Sequence, residues 1–388
     1  MWRSYSAAPQ GSSPGTSLAS LGPGSGVWGP SRASFEQFGD EDSNDGKGRH
    51  GGHGGHRAGH SRSPLGGDQS EKDEAYLKWQ EKHPCVLAHF ASFKAAVDGK
   101  RLAVFLDYDG TLTPIVSNPD EAVMSEEMRD VVRSVARAFP TAIISGRGRE
   151  KVEAFVQLKE LFYAGSHGMD IAGPRGGTNG CQVSGNEFVT AFQPAAHFRP
   201  LIDHIYTQLQ ERLKEVPGSS VEHNNFCVSA HFRNCPGEAW QDVISAVEEL
   251  VAQHDDLRMT RGRKVVEVRP KVDWHKGTAL SHLVDALGLA QEPDVVAIYV
   301  GDDHTDEDAF RTLEETRRGF GILVSTRAKP TRARYTVRDP ACVKDFLSGI
   351  VEWSKSDSNG WRAKPCCNGW SMDGLAATGA GPEAPQQQ

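Results

Sequence analysis

The chain has 388 residues, long enough for a sizeable core or two modest domains. Its formal net charge of -8 and pI of about 6.0 argue against a nucleic-acid binder, whose footprint is a basic face. No apolar run approaches the roughly 18–20 residues of a membrane-spanning helix, so no membrane partner is expected.

Seven cysteines (Cys85, Cys181, Cys227, Cys235, Cys342, Cys366 and Cys367) are scattered without a CxxC pair. That spacing suggests neither a disulfide framework nor a zinc site. There is no Asn-x-Ser/Thr sequon, and the opening MWRSYSAAPQ lacks the apolar centre of a secretory signal. The expected compartment is the cytoplasm, with plastid and nucleus as alternatives. The stretch before Glu36 is Ser-rich and acid-free, as transit peptides are. Its only arginines are Arg3 and Arg32, which favours a plain tail.

Taken in chain order, residues 1–70 are Gly-, Ser- and Pro-rich and are expected to be disordered. They include the tract GRHGGHGGHRAGH, with His50, His53, His56 and His60, which reads as low-complexity filler. From Asp73, the apolar positions Tyr76, Trp79, Leu87 and Phe90 predict a helical lead-in. Short apolar runs then end at polar turns: Leu102–Leu106, Thr141–Ile144, Val295–Val300 and Gly321–Val324. Such runs suit strands covered on both faces. Helical stretches such as Glu126–Ala138 and Lys276–Leu287 lie between them. The alternation predicts an α/β fold with a Rossmann-like doubly wound, mostly parallel sheet.

One segment breaks the pattern. Between Gln193 and Arg269 the spacing predicts a helix (Pro200–Leu213), a strand pair (Phe226–Phe232), a helix (Ala239–His254) and a second pair (Leu257–Met259 with Val265–Val268). The domain reading is therefore a core over 71–192 with its lead-in, an inserted α+β domain over 193–269, the rest of the core over 270–353, and a disordered tail over 354–388.

Four polar clusters sit at strand ends or helix starts, where an open parallel sheet gathers its ligand site. Asp107-Tyr108-Asp109-Gly110-Thr111 places two carboxylates just past a buried strand, a costly arrangement unless something binds them. A hard divalent cation is the natural partner. The pattern suits Asp107 as a carboxylate nucleophile toward phosphorus and Asp109 as proton donor and acceptor. Ser145-Gly146-Arg147 offers a hydroxyl and a helix start for phosphate oxygens. Lys276 would supply a fixed cation. Gly301-Asp302-Asp303-His304-Thr305-Asp306-Glu307-Asp308 crowds five acids into seven positions, a repulsion that a bound cation relieves. Asp302 is the expected metal ligand, with Asp306 as support or water-mediated ligand. The absence of GxxxxGK[ST] and GxSxG motifs disfavours a P-loop enzyme and an elbow-type serine hydrolase.

Together, LDYDGTLTPI, FPTAIISGR, YAGSHGMDI, VEVRP with WHKG, and GDDHTDEDAF resemble the motifs of haloacid dehalogenase-like phosphatases. The similarity is closer still to the plant-type trehalose-6-phosphate phosphatases, and it spans roughly residues 75–353. It implies a haloacid dehalogenase-like core, an aspartyl-phosphate intermediate on Asp107, and Asp109 as acid/base. It implies Mg2+ held by Asp107, the backbone carbonyl of Asp109, and Asp302, with phosphate held by Ser145 and Lys276. The insert then resembles a cap that closes over the sugar. Glu267 fits a sugar-hydroxyl reader, Lys264 and Arg233 fit cap cations reaching the phosphate, and Arg147 and His167 fit core-side contacts. His275 departs from the family, where Asp or Asn is expected. The implied partner is a small sugar phosphate met by a monomer. Sucrose 6-phosphate or a hexose phosphate is the alternative substrate, and a non-catalytic sugar-phosphate sensor the alternative function.

Overall fold

The computed structural model describes residues 69–174 and 188–356. The histidine tract, Cys181, Cys366, Cys367 and nearly all of both expected tails lie outside the described residues. Two helices, α1 (Gln69–Lys82) and α2 (Phe90–Ala96), lead into β1 (Arg101–Leu106). The chain continues through α3 (Glu126–Ala138), β2 (Thr141–Ile144), α4 (Arg149–Val156), β3 (Phe162–Gly165), β4 (Asp170–Pro174) and β5 (Phe188–Phe192). An insert follows: α5 (Arg199–Leu213), β6 (Ser220–His223), β7 (Val228–His231), α6 (Trp240–Val251), β8 (Leu257–Gly262) and β9 (Val265–Pro270). The chain then completes the main layer with α7 (Lys276–Ala286), β10 (Val295–Gly301), α8 (Glu307–Thr316), β11 (Gly319–Val324), β12 (Tyr335–Val337) and α9 (Pro340–Lys355).

The main sheet has the order β12-β11-β10-β1-β2-β3-β4-β5. Every pairing from β12 to β3 is parallel, while β4 and β5 close the far side antiparallel. Strand alternation explains the unbroken apolar runs. Leu102, Val104 and Leu106 pack with Val132, Phe346 and Ile350 on one face. Ala103 and Phe105 pack with Leu280, Leu283 and Phe310 on the other. Each such large side chain, once fully buried, contributes on the order of 1.5–3 kcal/mol. Helix α3 starts where the Ser125 hydroxyl accepts the Met128 N–H at 3.2 Å.

The insert is a separate antiparallel sheet, β6-β7-β9-β8, backed by α5 and α6 around its own apolar cluster. Its first hairpin corrects the expected pair at Phe226–Phe232. β7 pairs instead with the preceding Ser220–His223, and Phe226 sits in the connecting loop. Phe226 is buried with Met169 and Ala195 rather than in the insert's own core, so its hydrophobicity marks a docking contact and not a strand.

The lead-in is part of the main layer. Val86 N–H donates to the Thr336 carbonyl and Thr336 N–H to that of Pro84, so residues 84–86 run along the outer side of β12. The Trp79 indole donates to the Lys329 carbonyl at 2.8 Å, and His83 Nδ1 lies 2.7 Å from the Ala333 carbonyl.

Candidate active site

The chain leaves β1 toward β2 and returns on its other side as β10, so the strand order reverses between β1 and β10. Parallel strands part at such a point and leave a crevice at their carboxyl ends. Asp107 follows β1 and Asp302 follows β10, with Leu106 and Val300 in register beneath them. Gly110 has φ +79, and a Cβ there would lie 2.3 Å from an Asp302 carboxylate oxygen. Only glycine lets the two loops close on each other at this point.

Lys276 opens α7 and is buried. Its ammonium donates to Asp107 Oδ1 and to Asp306 Oδ1, each at 2.7 Å. The helix start is capped by the residue that departs from expectation: His275 Nδ1 accepts the Thr278 N–H at 3.3 Å. Histidine thus performs the capping that a short Asp or Asn would, and leaves the lysine free to turn inward.

Asp306 accepts from Lys276 and Tyr299 at one oxygen and from the Asp302 and Asp303 N–H groups at the other. A carboxylate offers about four acceptor positions, and all are taken. Asp306 is therefore placed as the support for the lysine and the loop, not as a direct ligand with a free lone pair.

Burial pushes the Asp107 carboxyl well above the usual range; Asp306, Asp302 and Asp303 add to this, and Lys276 opposes it. Burial does the same to Asp302, reinforced by Asp303 and Asp306. Burial would lower the pKa of Lys276, but Asp107 and Asp306 hold it well above normal. Acids outnumber cations, so the cluster lacks positive charge. Oxygens of Asp107, Asp302 and Asp306 lie within 4.8 Å of one another. Crowded, buried, all-oxygen donors are what a hard divalent cation requires.

Asp109 is held apart from that cluster. Arg147 grips it with two bonds, Nε to Oδ2 at 2.6 Å and Nη2 to Oδ1 at 2.7 Å. Arg147, expected as a substrate contact, is thus engaged with Asp109. Ser145 is buried at the end of β2, and its hydroxyl accepts the Arg147 N–H at 3.2 Å.

A second ionic cluster lies where the insert meets the core. His167 follows β3 in a turn where Ser166, His167 and Gly168 all have positive φ. Such backbone costs on the order of 1 kcal/mol or more per non-glycine residue. His167 Nε2 lies 3.0 Å from Glu267 Oε1 and 2.5 Å from Arg269 Nη2. Nε2 thus sits between a donor, Arg269, and an acceptor, Glu267, and burial beside Arg269 keeps the ring neutral. Burial and the adjacent Arg269 pull its pKa down to about 4. Arg269 Nε also bonds Glu267 directly. Despite burial, Arg269 and His167 keep the Glu267 carboxyl well below its ordinary range. Asn224 completes the seam: its Oδ1 accepts the Gly148 N–H at 2.9 Å, and its carbonyl accepts from the Ser166 hydroxyl.

The structure therefore groups Asp107, Lys276, Asp302 and Asp306, sets Asp109 with Arg147 beside Ser145, and joins His167 to Glu267. Arg233 and Lys264 are engaged within the insert. The Arg233 guanidinium donates to the Arg263 carbonyl, and the Lys264 ammonium lies 3.1 Å from the centre of the Trp240 ring. Lys264 is a residue of the two-residue β8–β9 turn, with φ +63. Sequence reasoning missed Arg269 and Glu222. Arg269 had a signal, since it alternates with Glu267 along β9 while Val266 and Val268 face the insert's core.

A sequence model of the trehalose-phosphatase family matches residues 105–341. The chain is 49% identical over 297 residues to the rice protein "Probable trehalose-phosphate phosphatase 2", covering 74% of this chain and 78% of that one. It is 49% identical over 280 residues to the maize "Trehalose 6-phosphate phosphatase RA3", covering 72% and 78% respectively. Among solved structures, a "trehalose-6-phosphate phosphatase related protein" superposes with a TM-score of 0.53 at 25% identity, covering 65% of this chain and 97% of that one. The C-terminal domain of a Candida albicans trehalose-6-phosphate phosphatase gives 0.53 at 24% identity, covering 66% and 93%.

Proposed function

This chain belongs to the trehalose-phosphatase family, and on that premise we propose how its residues hydrolyse trehalose 6-phosphate to trehalose and inorganic phosphate. The carrying observation is the buried lysine that bridges Asp107 and Asp306 next to an arginine-held Asp109. Lys276 fixes positive charge beside Asp107, where the dianionic phosphoryl group must approach. Asp107 attacks phosphorus in line, and the bond from phosphorus to the sugar oxygen breaks. Asp109 gives its proton to that leaving oxygen. The same carboxylate then takes a proton from water, which attacks the aspartyl phosphate, releases phosphate and restores Asp107. Ser145 presents its hydroxyl at the end of β2 toward the phosphate oxygens.

Asp107 and Asp302, with the Asp109 carbonyl, would hold Mg2+. When bound, it would offset the acids' repulsion and the charge of the incoming phosphate. The insert acts as the cap: Glu267, fixed by Arg269, reads sugar hydroxyls, and the seam around Asn224 closes the site to water.

The test is phosphate release from trehalose 6-phosphate, sucrose 6-phosphate and glucose 6-phosphate with Mg2+, with Asp107→Asn alongside. Release from trehalose 6-phosphate, lost in the variant, is the expected result. Release from another sugar phosphate keeps the chemistry and moves the substrate. An active Asp107→Asn protein would remove the nucleophile assignment.

A further inference from the structure

Glu222 lies on β6 of the cap, yet its side chain, 14% exposed, reaches into the core. Its Oε1 meets the Lys151 ammonium and stands 3.7 Å from Arg147 Nη1, while its Oε2 lies 3.0 Å from His231 Nε2 on β7. Burial opposes its charge, but bonds from His231 and Lys151 with the field of Arg147 bring its pKa down to about 2. It is a carboxylate at any physiological pH.

Arg147 is the shared group. One edge of its guanidinium grips Asp109; Nη1 donates to the Pro119 carbonyl at 2.8 Å and faces Glu222. Lys151 ties the same turn, 2.7 Å from Asp120. A planar fork with carboxylates on two sides is fixed in rotation as well as position. Asp109, held by two parallel bonds, must follow that plane. Undocking the cap withdraws one of the two carboxylates and leaves Lys151 and Arg147 with less neutralising charge.

We propose that Glu222 is a cap-borne positioning residue for the acid/base Asp109: acting through Arg147, it makes the placement of that carboxyl depend on the cap being docked. The proposal rests on the acid/base reading of Asp109. It gives cap closure a second consequence beyond shutting out water, because the proton donor reaches its working position only over an enclosed sugar.

The test separates steps by leaving group. Trehalose 6-phosphate expels an alkoxide that must be protonated, whereas p-nitrophenyl phosphate expels a stable phenolate that need not be. First-turnover rates are measured with both on the full-length protein with Mg2+. Glu222→Gln is expected to slow the sugar step about tenfold, in line with the known sensitivity to small misplacement. Its half-saturation for the sugar and its nitrophenolate burst should stay within about twofold. Glu222→Asp, which keeps the charge on a shorter stem, should lose about threefold, and melting curves check that both variants fold. Equal slowing of both substrates would overturn the proposal, as would a loss carried by half-saturation alone, which marks a plain latch. Asp109→Asn runs beside them. If it fails to slow the sugar step selectively, the acid/base reading falls first and the proposal with it. If Asp109→Asn behaves as expected and Glu222→Gln does not, only the proposal falls.

Discussion

Two buried ionic clusters serve this site, and they are built on opposite principles. At the edge of the main sheet, Asp107, Asp302, Asp303 and Asp306 face a single buried lysine, and burial holds Asp107 and Asp302 far from their ordinary ionisation. At the seam, Glu267 has Arg269 bonded to it beside a neutral histidine, and its charge is stabilised. The first cluster is short of cations; the second balances itself. The first cluster can take up added positive charge, whereas the second is already neutralised from within.

The sharpest way to break this contrast is to remove charge from the first cluster. Asp107→Asn should lower turnover of trehalose 6-phosphate by at least about 10⁴-fold, and Lys276→Met by about 10³-fold, as measured by released phosphate. A Lys276→Met protein with a tenth of the original rate would show that the lysine holds structure only.

Glu267→Gln tests the second cluster. It leaves Arg269 buried beside a neutral amide and should cost about 3–5 kcal/mol of stability in urea unfolding. A cost under about 1 kcal/mol would mean that the seam is already wet.

The pH dependence follows from the same pair. The folded pKa of His167, about 4, lies below its ordinary 6.5, so the unfolded chain takes up the proton first. The stability tied to keeping this ring neutral is full above about pH 6.5 and is lost as pH falls toward 4. It amounts to up to about 3 kcal/mol. The lowered pKa of Glu267 acts in the same direction further down. Melting temperatures from pH 7 to 4 should fall, and His167→Gln should flatten the upper part of that fall. An unchanged slope would assign it to other groups.

The smallest effect sharpens the contrast by reversing its sign. Asp302→Asn should raise stability in cation-free buffer by about 1 kcal/mol, since it removes a crowded buried acid. The same variant should also lose the rise in melting temperature expected on adding Mg2+ to the parent protein. A destabilised variant would show that Asp302 is already compensated.

The first cluster was legible in the sequence because its members sit at local signals: an apolar run, then a polar turn. Asp107 and Asp302 needed only that rule and the convergence of parallel strand ends. The partners were not legible. That Arg147 grips Asp109 depends on the β1 and β2 ends lying side by side. Glu222 gave no signal, because Ser220–His223 is a half-polar strand without an apolar run. Short strands such as β12, three residues long, fall below any periodicity. Phe226 misled because one buried aromatic reads alike whether it fills its own core or docks on a neighbour's.

The segment at residues 84–86 lies before the family-matched region, yet it runs along β12, the outermost parallel strand. An edge strand with open N–H and C=O groups is a template on which another molecule can add a strand. By taking up the Thr336 amide and carbonyl, the lead-in blocks that addition on this side. A protein trimmed back to Leu87 would keep β1 with Asp107 at its end but lose this guard against self-association, and its solubility would fall before its chemistry did.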